Sequence, residues 1–170
     1  MDIFPWLKSV CTKKHNSRKS TMNLHAKHFT DLNVDELYKI LQARNAVFVV
    51  EQKCAYQDLD GIDRQALHVW LEEDGKILAY LRVFDAPGLE DTVQIGRVLT
   101  TVRGEGLGTK ILQAGIKAAT DFHQNARAVQ LEAQCYATGF YAREDFAEKG
   151  ETFDEDGIPH VLMVRSLTHS

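Results

Sequence analysis

Apolar side chains recur along this chain with two spacings, one typical of helices and one typical of strands. A period of 3.6 residues predicts an amphipathic helix over 106–123 and an earlier one over 33–48. Asn33, which precedes Glu36 by three residues, predicts a capping box at the start of the earlier helix. A third, short helix is predicted at about 136–143.

Runs rich in β-branched and aromatic residues predict the strands. The turn signal Glu73-Asp74-Gly75-Lys76 joins the first two of these runs as a hairpin. The polar stretch that contains His25 and His28 is predicted to be mobile. The pattern therefore predicts an α/β (α+β) domain with a mostly antiparallel sheet flanked by helices. The predicted strands are 66–71, 77–84, 93–101, 128–134, 147–153 and 160–164.

The composition is that of an ordinary globular domain, with 44% hydrophobic and 26% charged residues in a chain of 170. No apolar run approaches the ~18 residues of a membrane-spanning helix. The three cysteines form no Cys-x-x-Cys pair, which favours a reduced, cytoplasmic setting. The seven histidines lack metal-ligand spacing, so no metal site is expected.

Residues 1–21 differ in charge from the rest of the chain. They carry five basic residues and one acid, a net charge of +4, which leaves −8 for the remainder because the whole chain is −4. The segment lacks the apolar stretch of a secretory signal, and its lack of periodicity predicts a disordered basic extension before a single domain at 22–170. A nucleic-acid-binding arm is the alternative, but the basic residues have no interleaved aromatics and the body is acidic.

A glycine-rich turn follows the predicted strand 93–101 and opens the helix at 106–123. Its sequence is Arg103-Gly104-Glu105-Gly106-Leu107-Gly108. Backbone N–H groups and the positive end of a helix dipole converge at such a turn, which suits a phosphate, and Arg103 adds a cation. Neither the Walker A pattern nor the dinucleotide fingerprint is present. An ordinary glycine-rich turn is the alternative.

The same six residues fit Arg/Gln-x-x-Gly-x-Gly/Ala, so the chain resembles the GCN5-related N-acetyltransferases (GNAT) and, more narrowly, their ElaA-like branch. Segments 46–61, 140–146 and 154–160 are similar to further signatures of that branch, and the resemblance runs from about 37 to 164. It implies a mixed, mostly antiparallel sheet of six to seven strands, splayed between the fourth and fifth.

The resemblance implies acetyl-coenzyme A as the acyl donor. Its pyrophosphate would bind the turn, its pantetheine arm would pair with the main chain of the preceding strand, and Gln134 would contact the arm. The resemblance implies no nucleic acid, membrane or metal. It allows a homodimer, since dimers are common in the family. The implied cofactor residues are Val98, Leu99, Arg103, Gly104, Glu105, Gly106, Leu107, Gly108 and Gln134.

Tyr141 matches the family position that protonates the departing thiolate, although packing beside Phe140 is the alternative. As general base, Glu51 is favoured over Glu132, whose alternating position on a strand is equally compatible with solvent. The main-chain N–H of Leu99 is the expected oxyanion donor. The acceptor side is assigned to an acidic loop that would attract a cation, with a nearby histidine. Its residues are Tyr56, Asp58, Asp60 and His68.

The predicted function is transfer of an acetyl group from acetyl-coenzyme A to a primary amine of a small molecule or peptide, by direct attack through a tetrahedral intermediate. A non-catalytic acyl-coenzyme A-binding regulatory domain is the first alternative. An acyltransferase that uses longer chains is the second, because the segment after Phe48 resembles acyl-homoserine lactone synthases.

Overall fold

The structure, a computed structural model, describes residues 21–53 and 57–167. The predicted extension and Tyr56 therefore fall outside the described residues, apart from Thr21. None of the helices in the described ranges is both long and apolar enough to cross a membrane.

Seven strands form one sheet in the order β1-β2-β3-β4-β5-β7-β6. Every neighbouring pair is antiparallel except β4 and β5, which are parallel. The mixed, mostly antiparallel sheet is thus confirmed. The strands are β1 (Asn23–His28), β2 (Leu67–Glu73), β3 (Lys76–Asp85), β4 (Thr92–Thr100), β5 (Ala128–Gln134), β6 (Ala147–Glu155) and β7 (Ile158–Ser166).

The sheet splays between its fourth and fifth strands, as predicted. β4 and β5 pair only over Thr92, Val93 and Gln94, which lie opposite 128–130. Beyond Gln94 the two strands diverge, while β5 stays paired with β7 over its whole length. The divergence leaves a cleft between the outer half of β4 and the outer half of β5.

Within the described residues, three α-helices flank the sheet: α1 (Val34–Arg44), α2 (Leu107–Phe122) and α3 (Thr138–Ala142). Helix α1 begins with the predicted capping box, in which Asn33 N–H donates to Glu36 at 3.0 Å and Glu36 N–H donates to Asn33 at 2.8 Å. Helix α2 packs closely on β3, because a Cβ on Gly115 would lie 2.5 Å from a methyl group of Leu81. This contact explains a glycine in mid-helix despite its low helix propensity.

The helix predicted over 33–48 changes geometry part-way. After α1 ends at Arg44, a π-helical turn covers Asn45–Glu51. This wider turn keeps Phe48 buried and directs it toward the cleft, which its ring lines. Such turns are rare and frequent at functional sites. A pattern of apolar spacing alone does not distinguish them from a continuing α-helix.

The prediction of a mobile stretch around His25 and His28 is wrong. Both residues lie in β1, an edge strand paired with β2 along its full length. His25 stacks on Trp70 with 4.8 Å between ring centroids, and Lys27 forms a 2.7 Å ion pair with Glu36. Polar side chains on an edge strand protect it from pairing with other chains, so the apolar signal of a strand is weak here.

Candidate active site

The cleft between β4 and β5 has a volume of about 620 Å³. Among the predicted site residues, Asp60, Val98, Gln134 and Tyr141 line it. Most of its other lining residues come from the π-helical turn, from β3, β4 and β5, and from the β6–β7 hairpin. They include Phe48, Arg82, Arg97, Glu132, Glu155, Asp156 and His160.

A bulge in β4 shapes one side of the cleft. Tyr80 lies opposite Leu99 while Arg82 lies opposite Gly96, so two residues of β4 face one residue of β3. Arg97, within the bulge, has a φ of +56°, a conformation that costs a non-glycine residue about 1–2 kcal/mol. The bulge leaves Leu99 buried against β3 and places Val98 on the cleft.

Two glycines of the glycine-rich turn adopt the left-handed backbone conformation. Gly104 and Gly106 adopt φ values of +82° and +70°, and no atom lies within 4 Å of the position where either Cβ would stand. Gly106 is the N-cap of α2, so the first N–H groups of that 16-residue helix have no helical partner and are available to an anion. Gly108 serves packing instead, since its Cβ would lie 3.3 Å from the Phe140 ring.

The predicted base, Glu51, is directed toward this turn. Its carboxylate accepts a hydrogen bond from the guanidinium of Arg103, and both side chains are substantially exposed. Glu51 does not line the cleft, whereas Glu132 does. The structure therefore brings Glu51 together with the predicted pyrophosphate site and not with Tyr141.

The acidic loop is neutralised by buried arginines, in what we call the arginine–aspartate network. Arg44, fully buried, donates to Asp58 at 2.9 Å and to Asp63 at 2.7 Å. Three arginines face three aspartates, so the group carries no net negative charge to attract a cation. Its members are Arg44, Asp58, Asp60, Asp63, Arg82 and Arg97.

The network holds two of its carboxylates, Asp60 and Asp63, ionised. Burial by itself disfavours the charged form of Asp60, but hydrogen bonds and charge from Arg82 outweigh it and lower the pKa of Asp60 to about 2. The same balance, with Arg44 as the main partner, lowers the pKa of Asp63. One buried nitrogen, Arg82 Nε, has no hydrogen-bond partner among the described residues.

His68 lies behind the network and not in the cleft. Its side chain is fully buried, with Nδ1 2.9 Å from the Tyr80 hydroxyl and Nε2 3.0 Å from the carbonyl oxygen of Asp63. Burial lowers the pKa of His68, which favours the neutral ring. This placement gives no support to an acceptor-binding role for His68, and it shows instead how the turn that carries Asp63 is held.

Tyr141 combines a packed ring with an available hydroxyl. The ring makes edge contacts with Phe140 and Phe146, at 5.0 and 6.2 Å between centroids. The hydroxyl has no hydrogen-bond partner among the described residues. Burial raises the pKa of Tyr141 to about 12, so the phenol is protonated at neutral pH.

On the opposite side, β5 and the β6–β7 hairpin present acids that no arginine or lysine pairs within the described residues. We call Glu132, Glu155 and Asp156 the acidic wall. Burial and the charge of Glu155 raise the pKa of Glu132. His160 Nε2 lies 3.6 Å from Glu155, and its Nδ1 lies 2.8 Å from the Ile158 carbonyl oxygen. No three metal-ligating side chains of the described ranges converge on one point.

A profile of the acetyltransferase (GNAT) domain matches residues 26–167. The chain belongs to the GNAT family. It is 37% identical over 144 residues to the protein ElaA of Escherichia coli K12, which covers 82% of this chain and 94% of ElaA. The ElaA-like resemblance is thereby confirmed.

Solved structures agree with this assignment to the GNAT fold. An acyl-CoA N-acyltransferase from Pseudomonas aeruginosa superposes with a TM-score of 0.80 at 40% identity, covering 85% of this chain and 99% of that one. Escherichia coli ElaA gives 0.79 at 35% identity, with the same coverage. The acyl-homoserine lactone synthase BjaI matches with 0.72 at 13% identity over 87% of this chain and 84% of its own, which shows a shared fold alone.

Sequence reasoning missed part of this GNAT cleft. Glu155 and His160 lie within a segment that the sequence marks only by its family resemblance, and the sequence favours Glu51 over Glu132 as the base. The period-2 pattern did contain the relevant signal, because Gln130, Glu132 and Gln134 alternate with buried Val129, Leu131 and Ala133 and so share one face. Only the splay of the sheet determines that this face borders a cleft.

Proposed function

We propose that this protein transfers an acetyl group from acetyl-coenzyme A to a primary amine of a small molecule or peptide. The observation that carries the proposal is the cleft itself, whose lining includes Tyr141, a protonated phenol with no hydrogen-bond partner among the described residues. An acyl-CoA N-acyltransferase among the structural neighbours supports the reaction class, and the acetyl donor and the amine acceptor are part of our proposal.

The donor would follow the edge of β4 that β5 no longer covers. Main-chain groups of Val98 and Leu99 would pair with the pantetheine amides as an added strand does, and Gln134 faces the same space. The pyrophosphate would accept hydrogen bonds from the N–H groups of 104–108 at the start of α2. It would also compete with Glu51 for the guanidinium of Arg103.

The reaction would proceed by direct attack. The amine nitrogen forms a bond to the thioester carbonyl carbon, and the resulting oxyanion is stabilised by a main-chain N–H, for which Leu99 is our candidate. The C–S bond then breaks, and the thiolate of coenzyme A takes the hydroxyl proton of Tyr141, which is recovered from solvent. A positioned acid of this kind is typically worth ~10²–10⁴-fold in rate.

Replacing Gly106 by valine tests the donor site. A β-branched residue is strained at a φ of +70°, and its side chain would fill the open space that a pyrophosphate needs. Calorimetric titration with coenzyme A should show loss of binding by the folded variant. Gly150→Val is a matched control, because Gly150 has a φ of +84°, equally open surroundings and a position on β6 away from the cleft.

Unchanged coenzyme A affinity in Gly106→Val would contradict the donor site. Release of free thiol from acetyl-coenzyme A across an amine panel tests the reaction itself. Tight binding with no thiol release from any amine would favour the non-catalytic acyl-coenzyme A-binding domain. Faster turnover with longer acyl donors would favour the second alternative.

A further inference from the structure

We infer that Glu132, and not Glu51, is the general base that removes the proton from the acceptor amine. The inference rests on the proposed acetyl transfer and names the residue in the same cleft that activates the nucleophile. It extends the assignment of Tyr141 as the acid, so that one side of the cleft supplies both proton-transfer groups.

The position of Glu132 follows from the strand register. Glu132 lies opposite Leu162 on β7, and Gln134 lies opposite His160, so all four side chains occupy the same face of the sheet. That face borders the cleft where β4 has diverged, and Glu132 and Tyr141 both line it. The strand register therefore places Glu132 on the lining of the same cleft as Tyr141.

The surroundings of Glu132 suit proton acceptance. Burial and the neighbouring carboxylate of Glu155 on β6 raise its pKa, while His160 on β7 and Arg97 on β4 act in the opposite direction more weakly. A carboxylate with a raised pKa is a stronger base than one in water. No lysine or arginine of the described residues forms an ion pair with Glu132, so its lone pairs are available.

The competing carboxylates are committed elsewhere. Glu51 lies beside Arg103 of the glycine-rich turn and does not line the cleft, and Asp58 and Asp60 accept from the arginines of the network. The network also holds the pKa of Asp60 at about 2, which makes that group a poor base. His68 has both ring nitrogens engaged in the buried interior.

Glu132 and Tyr141 together account for both proton transfers of the reaction. The amine nitrogen attacks the thioester carbon, and its surplus proton moves to a carboxylate oxygen of Glu132 as the C–N bond forms. The C–S bond breaks with its electron pair on sulfur, and the thiolate takes a proton from Tyr141. Glu132 then returns its proton to solvent, and the products are the amide and free coenzyme A.

The test compares Glu132→Gln, Glu132→Asp and Glu148→Gln in the full-length protein. Glu148 is an exposed carboxylate of β6 that does not line the cleft, so it controls for loss of one negative charge. Coenzyme A affinity is measured by calorimetry, and kcat is measured against pH with the best amine of the panel. We expect Glu132→Gln to bind coenzyme A normally and to lose ~10²–10⁴-fold in kcat at neutral pH.

The pH profile distinguishes a base from a structural residue. In wild type and Glu132→Asp, kcat should fall on acidification as the carboxylate is protonated. In Glu132→Gln the fall that follows protonation of the carboxylate should be absent, and the residual rate should instead rise only at higher pH, where the amine itself loses its proton. Wild-type rate and profile in a folded Glu132→Gln would overturn the assignment of the base alone. Absence of thiol release by wild type with every amine would overturn the proposed function as well.

Discussion

Both sides of the cleft carry carboxylates, but only one side pairs them with arginines. On the β4 side, Asp58, Asp60 and Asp63 are matched by three arginines at hydrogen-bond distance. On the side of β5 and the β6–β7 hairpin, the acidic wall has no arginine or lysine partner among the described residues. The aspartates on the β4 side are therefore neutralised by arginines within the protein, whereas the carboxylates of the acidic wall are not.

This difference distinguishes charges that stabilise the fold from a carboxylate that is available to accept a proton. A buried ion pair needs both partners, and removing one leaves an uncompensated charge. The network can thus fix the loop at 57–65 and hold Arg97 in its bulge, but it has no spare proton acceptor. Repulsion between the carboxylates of the acidic wall lowers the stability of the fold. Because these carboxylates have no arginine or lysine partner among the described residues, one of them is available to accept a proton.

Removing Arg44 should have the largest effect on the paired side. Arg44→Met leaves Asp58 and Asp63 short of a partner in a buried site, which typically costs ~3–5 kcal/mol in the free energy of unfolding. Urea denaturation at pH 7 measures it. The matched change on the other side, Glu155→Gln, should stay within about 0.5 kcal/mol of wild type. A cost below ~1 kcal/mol for Arg44→Met would show that the network is not structural.

The sequence predicts the local features of the cleft but not the ion pairs that distinguish its two sides. The strands, the long helix and the glycine-rich turn follow from periodicity and turn chemistry, which are local properties. The ion pairs join residues far apart in the chain, such as Asp58 with Arg97, and no local pattern encodes them. The sequence therefore predicts that the acidic loop attracts a cation, whereas the fold supplies countercharges for the loop from α1, β3 and β4.

A pair of tyrosines offers the next test. The Tyr80 hydroxyl is buried and bonded to His68 at 2.9 Å, whereas the Tyr141 hydroxyl has no partner in the described part of the chain. Tyr141→Phe should reduce kcat ~10²–10⁴-fold, about 3–5 kcal/mol of barrier, with little change in stability. Tyr80→Phe should instead lose about 1–3 kcal/mol of stability, because it leaves a buried His68 nitrogen unpaired.

The two variants must be compared for both quantities. Steady-state turnover with the best amine gives kcat, and chemical denaturation gives the free energy of unfolding. A folded Tyr141→Phe that binds coenzyme A and turns over at the wild-type rate, with chemistry rate-limiting, would remove Tyr141 from the mechanism. The thiolate would then depart without a protein acid.

Acidification should change the contributions of Asp60 and Glu132 to the free energy of unfolding in opposite directions. Between about pH 4 and pH 2, folded Asp60 binds fewer protons than the unfolded chain does, because its pKa is about 2 instead of ~3.9. Its stabilisation is therefore present above pH 4 and is lost as the pH falls toward 2. Since its side chain is 26% exposed, solvent screening reduces the effect to about 1–2 kcal/mol. Asp60→Asn should remove this part of the acid dependence.

Glu132 should behave in the reverse way. Its pKa is raised in the folded state by burial and by Glu155, so the folded chain binds more protons than the unfolded chain just above the ordinary pKa of a glutamate. Stability from this group falls as the pH rises through that range, and Glu132→Gln should be more stable than wild type at pH 7 and equal to it below pH 4. Urea unfolding at pH 7, 4 and 2.5 measures both variants. If Glu132→Gln were less stable than wild type at pH 7, Glu132 would have a favourable charge partner. The acidic wall would then be neutralised in the same way as the arginine–aspartate network.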